Sequence, residues 1–177
     1  MTGERRGRRI AAALALTLAA PLMIGTTGLS TSLDSRLLAA HNRERTAAGI
    51  RPLHWDAALA ADAAVWAQAL AASAAFEHSP DDPDAEEPQG ENLWAGTPGR
   101  FTPEDMVGMW IAEKAVYRPG PLPNVSRTGR FEDVGHYTQV MWRETGEVGC
   151  ALAKGAEEEI LVCRYSQAGN VDGEVAF

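Results

Sequence analysis

The stretch EVGCALAKGAEEEILVCRYS, residues 147–166, decides the fold class. Two runs rich in β-formers, EVGCALA and ILVCRYS, flank the polar segment KGAEEE, which is the pattern of a hairpin. Each run carries one cysteine, Cys150 and Cys163, and these two are the only cysteines in the chain. Pairing them sets Leu152 opposite Leu161 and Val148 opposite Tyr165. Strand side chains alternate between faces, so all six would share one face. An apolar sheet face needs a covering layer, and the upstream sequence offers helices for it.

Immediately before the hairpin, YTQVMW (137–142) reads as another short strand, preceded by the polar loop NVSRTGRFEDVG (124–135). Further upstream, Thr102, Pro103, Glu104 and Asp105 open a helix that runs to about Tyr117, with Met106, Trp110, Glu113 and Tyr117 on one face. Thr102 caps it, Pro103 suits its first turn, and the acids favour the positive end of its dipole. Asp56 caps a second helix in DAALAADAAVWAQALAASAAF (56–76), where Leu59, Ala63, Trp66 and Leu70 recur at helical spacing. The first helix spans about Ser32 to Ala48, with Leu37, Leu38, His41 and Arg45 toward one side. Gly49 caps its C-terminus, and RPLHW follows as an extended link. Helices early and strands late indicate an α+β layered domain.

The chain begins as an exported one does. Arg5, Arg6, Arg8 and Arg9 precede an apolar stretch from Ile10 to Ile24, followed by small residues to Gly28. That stretch is short for a membrane span, so residues 1–28 are expected to be a signal peptide that is removed, leaving no stable span, with a retained anchor as the alternative. Residues 29–177 are then expected to form a single domain. The paired arginines are compatible with either a general or a twin-arginine export route. Two cysteines in an exported chain point to one disulfide, Cys150–Cys163, worth about 3 kcal/mol as a loop closure. Beyond residue 28 there are 12 basic and 23 acidic residues, a net charge of −11, which disfavours nucleic acid as a partner. The acidic loop 81–87 matches no calcium-loop spacing and reads as a solvated segment.

Four separated segments carry a more specific signal: AHNRERTAAGIRPLHWD (40–56), GENLW (90–94), GHYTQVMW (135–142) and ILVCRYSQAGN (160–170). With His78 and Ser79 after the second helix and WIAEKAVY (110–117) before GHYTQ, the ordered set resembles the CAP family. That family comprises the domains of cysteine-rich secretory proteins, insect venom antigens and plant pathogenesis-related proteins. The resemblance implies a three-layer α-β-α sandwich around a small antiparallel sheet. It also implies an open cleft lined by His78, Glu91, Glu113 and His136, in which a divalent cation such as zinc can sit on the two histidines. Gln167 and Ala168 stand where the family commonly has prolines, and Gln89 replaces an aromatic residue. The cysteine-rich extension of many eukaryotic members is missing, so their ion-channel activity is not expected here.

Two neutral imidazoles and two carboxylates suit zinc chemically, and protons compete with metal for such a set. The chain contains no HExxH helix and no GxSxG turn, and paired cysteines leave no thiol nucleophile. The expectation is therefore a secreted binding module whose partner is a small apolar ligand (a sterol or lipid) or an extracellular protein. One alternative is a metal-dependent extracellular hydrolase using Glu91 or Glu113 as base. Another is a purely structural envelope protein. His41 and Asn42 are read as fixing the first helix, His54 as local packing, and Trp66, Trp110 and Trp142 as core. Tyr137 and Gln139, alternating with His136 on the expected strand, are given no cleft role.

Overall fold

The computed structural model describes residues 32–73, 75–80 and 88–177. The leader, residues 1–28, and the acidic loop 81–87 lie outside the described residues. Helix α1 (Leu33–Ala47) starts at Ser32, whose hydroxyl accepts from the Ser35 N–H, and ends at Gly49, which adopts φ 71°. Strand β1 (His54–Trp55) leads into α2 (Ala57–Ser73), which Asp56 opens by accepting the Leu59 N–H at 2.8 Å. Strand β2 (Gly90–Gly96) precedes α3 (Pro103–Ala112), where Thr102 and Asp105 form a reciprocal capping box. Helix α4 (Gly135–Met141) and the hairpin strands β3 (Glu147–Lys154) and β4 (Glu159–Ser166) complete the order.

The sheet runs β1-β3-β4-β2. Strands β3 and β4 pair in the register expected from the cysteines: Cys150 faces Cys163, Val148 faces Tyr165 and Leu152 faces Leu161. The disulfide Cys150–Cys163 is formed. On that face the sheet packs against α1, α3 and α4 through Leu37, Ala40, Met106, Trp110, Val140 and Met141. The opposite face, with Leu93, Ile160 and Val162, packs against Ala63, Ala67 and Leu70 of α2. The layers are α-β-α. Alanines along α2 and glycines in the hairpin let helix and sheet approach closely.

Several sequence expectations are corrected. GHYTQVMW is a helix rather than a strand. Tyr137 through Met141 are all buried, so the segment shows no amphipathic period, and a short apolar run can be a buried strand or a buried helix. RPLHW is not only a link: His54 and Trp55 pair in parallel with Glu147 and Val148, so the sheet is mixed and not wholly antiparallel. The third helix stops at Ala112, and Glu113 begins a 3-10 turn to Ala115. On α2 the buried stripe runs through Ala67, whereas Trp66 is half-buried and donates its indole N–H to the Glu77 carbonyl at 3.1 Å. The structural role read for Asn42 holds, since its side chain accepts the Leu53 N–H at 2.7 Å and donates to the Leu53 carbonyl at 2.9 Å.

Candidate functional site

Two histidine–glutamate pairs, drawn from four segments, meet at one end of the sheet. His78 lies in the irregular segment after α2, and Glu91 is the second residue of β2. The His78 Nδ1–H donates to Glu91 Oε1 at 2.7 Å, and the Ser79 N–H donates to the same oxygen at 3.0 Å. The second pair joins the 3-10 turn that follows α3 to α4. The His136 Nδ1–H donates to Glu113 Oε1 at 2.6 Å, while Glu113 Oε2 accepts the Tyr137 N–H at 3.0 Å. Tyr137 lies in the first turn of α4, and no side chain of its N-cap residue, Val134, covers the free amides there. Glu113 takes over that task from outside the helix.

His78, Glu91 and His136 line one cavity of about 200 Å³, whose remaining walls include Asn92, Phe131, Glu132 and Asn170. Glu113 is not part of this wall; it stands behind the His136 ring. Trp110 stacks on that ring, with centroids 6.1 Å apart and planes 13° from parallel. Asn92 donates to the His136 carbonyl at 3.1 Å and to the Tyr165 hydroxyl at 3.2 Å. Asn170, at φ 60°, accepts from the Thr138 hydroxyl and donates to the Gly135 carbonyl, which clamps the start of α4. Because each Nδ1 is engaged by a carboxylate, the nitrogen left for a ligand is Nε2 on both rings.

The hydrogen bond to Glu91 pulls the His78 pKa above its ordinary 6.5, against burial and the nearby Arg164. Burial works to raise the pKa of Glu91, but the bonds from His78 and Ser79 and the charge of Arg164 outweigh it and hold it below 4.5. Folding gains from the raised histidine below pH 6.5 and loses that gain as pH rises through the folded pKa. The gain from the depressed carboxylate is present above pH 4.5 and is lost on acidification. His78→Ala is therefore expected to shift the urea midpoint most near about pH 5.5 and least near about pH 8.5. An equal shift at both would show that the pair contributes nothing through charge.

His41 does not join the cavity. It is fully buried, donates from Nδ1 to the Leu37 carbonyl at 2.8 Å and accepts the Tyr165 hydroxyl at Nε2, also at 2.8 Å. Burial, with Arg45 adding to it, brings its pKa down to about 4, so the ring is neutral. Tyr137 packs on Tyr117 and Phe177. Gln139 is buried and accepts the Gly169 N–H at 2.9 Å. Neither lines the cavity, although the reason is helical packing and not strand alternation. Sequence reading missed Asn92, Asn170 and Arg164. All three lay within the family-like segments, but only the pairing of β2 with β4 brings Arg164 beside Glu91.

Among the described residues, no group of three or more His, Cys, Asp or Glu side chains is placed to hold a metal ion. An ion in the cavity would rest on two imidazoles and solvent. That donor set fits zinc in kind, since each ring has the carboxylate behind it that metal-ligating histidines ordinarily have.

The chain matches the family model described as CAP, cysteine-rich secretory protein family, over residues 38–165. It is 37% identical over 139 residues to a pathogenesis-related protein PR-1 type of Sambucus nigra, covering 76% of each chain. It is 35% identical over 165 residues to pathogenesis-related protein 1B of Nicotiana tabacum, covering 93% of this chain and 92% of that one. Among solved structures, NaASP2 with Zn2+ superposes with a TM-score of 0.70 at 24% identity, covering 86% of this chain and 88% of that one.

Proposed function

The chain belongs to the cysteine-rich secretory protein (CAP) family, and from that premise we propose that it is an exported binding module whose cleft takes a divalent cation on His78 and His136. One observation carries the reading: two imidazoles on the wall of one cavity each have Nδ1 committed to a glutamate, leaving Nε2 as the ligating atom. When bound, the ion supplies a Lewis-acidic point at which a carbonyl or carboxylate of a partner can dock. Glu91 and Glu113 orient the rings, and Asn92 and Asn170 hold the cavity wall.

The cavity, at about 200 Å³, favours an ion or a small polar group over a sterol or fatty acid. Sites for organic ligands generally enclose roughly 300–1,000 Å³. A protein partner that reaches the ion from the rim fits this size better. The hydrolase alternative requires Glu91 or Glu113 as base, and each of these carboxylates already accepts two hydrogen bonds. Export rests on the leader read in residues 1–28 together with the family. Among the described residues, no helix is long and apolar enough to cross a membrane.

Calorimetric titration of chelator-stripped protein with Zn2+ tests the reading, zinc being the ion with which NaASP2 was crystallised. Wild type is expected to take up one ion per chain. His78→Ala and His136→Ala should each weaken uptake by at least about tenfold, and acidification should weaken it as protons compete for the imidazoles. Equal uptake by wild type and the double variant would end the proposal.

A further inference from the structure

Strands β2 and β4 pair so that Glu91 stands opposite Arg164. Their side chains leave the sheet on the same face, the one that α2 covers. Arg164 Nε lies 3.1 Å from Glu91 Oε2, and the two side chains are only 15% and 7% exposed. The guanidinium N–H does not point along that vector, so the contact is an ion pair without an aligned hydrogen bond, and Oε2 has no other partner among the described residues. Oε1, by contrast, receives both the His78 ring and the Ser79 amide.

We propose that Arg164 is a positioning residue for the cleft: it holds the Glu91 carboxylate, and through it fixes the His78 imidazole in the orientation that presents Nε2 to a cation. The proposal rests on the reading of the cleft as a cation site. His78 has no regular element to hold it; it sits in the segment 75–80, and its side chain is 64% exposed. A ring so exposed samples several rotamers unless something anchors it, and ordering it would count against ligand affinity. Among the described residues, its only side-chain anchor is Glu91. Glu91 in turn is nearly buried, and a buried carboxylate with one unbonded oxygen keeps its place only if a positive charge faces that oxygen. In the described structure that charge is Arg164. His136 is held differently, by Glu113 and the Trp110 face, so the two halves of the cleft have independent supports.

The test uses the full chain in three forms: wild type, Arg164→Met, which keeps the apolar stem, and Arg164→Lys, which restores the charge. The first readout needs no metal: amide hydrogen exchange at Ser79, whose N–H reports the Glu91 bond. Arg164→Met is expected to lose about tenfold protection at Ser79, with Arg164→Lys recovering most of it, while Tyr137, which donates to Glu113, stays unchanged. The second readout is calorimetric Zn2+ titration, where Arg164→Met should weaken uptake by about tenfold and Arg164→Lys should recover it. Wild-type protection and wild-type uptake in Arg164→Met would overturn the proposal. So would an equal loss of protection at Ser79 and Tyr137, which would mark a general loosening of the fold. If Ser79 responds as expected but wild type takes no zinc, the positioning stands and the cation reading alone fails.

Discussion

Arg45→Met is expected to lower the stability of the folded unit by about 4 kcal/mol and its melting temperature by about 12 °C. The Arg45 side chain is fully buried. Its guanidinium donates to four backbone carbonyls: Arg51 and Thr145 at 2.9 Å each, Val140 at 2.9 Å and Trp142 at 2.8 Å. Val140 and Trp142 lie at the C-terminal end of α4, where helix carbonyls lack intrahelical donors and the dipole is negative. One side chain of α1 therefore closes α4 and ties the β1 link and the turn before β3 to it. Burial brings the Arg45 pKa down to about 10, with Arg51 and Arg143 adding to the effect, so the group stays charged near neutrality. Methionine fills much of the volume and spares the cost of burying a charge, but it leaves four acceptors without donors, at about 1 kcal/mol each. Arg45→Lys carries its donors on one nitrogen and cannot span the same four carbonyls; about half the loss should remain. Urea and thermal unfolding measure both variants. An Arg45→Met chain within about 1 kcal/mol of wild type would refute this account.

Gly149→Ala is the second large effect, expected at about 3 kcal/mol. A Cβ at Gly149 would lie 2.2 Å from Ala60 N, 2.5 Å from Asp56 O and 2.6 Å from Leu59 C, all backbone atoms at the start of α2. No rotamer change relieves contacts with backbone, so α2 must lift from the sheet and loosen the core of Ala63, Ala67, Leu70, Ile160 and Val162. Gly108, inside α3, provides the control, because nothing lies within 4 Å of a Cβ there. Gly108→Ala should leave stability unchanged or raise it by about 0.5–1 kcal/mol. The denaturant midpoint should fall for Gly149→Ala and hold or rise for Gly108→Ala. A Gly149→Ala chain as stable as wild type would mean that α2 does not sit against β3 as described.

The hairpin was legible because its cysteines and alternating apolar residues permit only one register, and every expected pair is present. The caps at Asp56 and Thr102 were legible because they act within three residues. The segment around His136 was misread because it is buried on all sides, and an element without a polar face shows no period. His78, Glu91, Glu113 and His136 could be named from their motifs, but motifs said nothing about which carboxylate serves which ring.

The sequence alone determined the layered class, the disulfide register and the starts of α1, α2 and α3, since each depends on local chemistry or on spacing along the chain, whereas His78, Glu91, Glu113 and His136 were named through the family resemblance. Tertiary structure alone decided that Glu113 sits behind His136 and not on the cavity wall, that Arg45 closes α4, and that Arg164 faces Glu91. Those contacts join residues 23, 95 and 73 positions apart, respectively. At such separations it is the packing of whole layers, and not any preference of the residues themselves, that selects the partner.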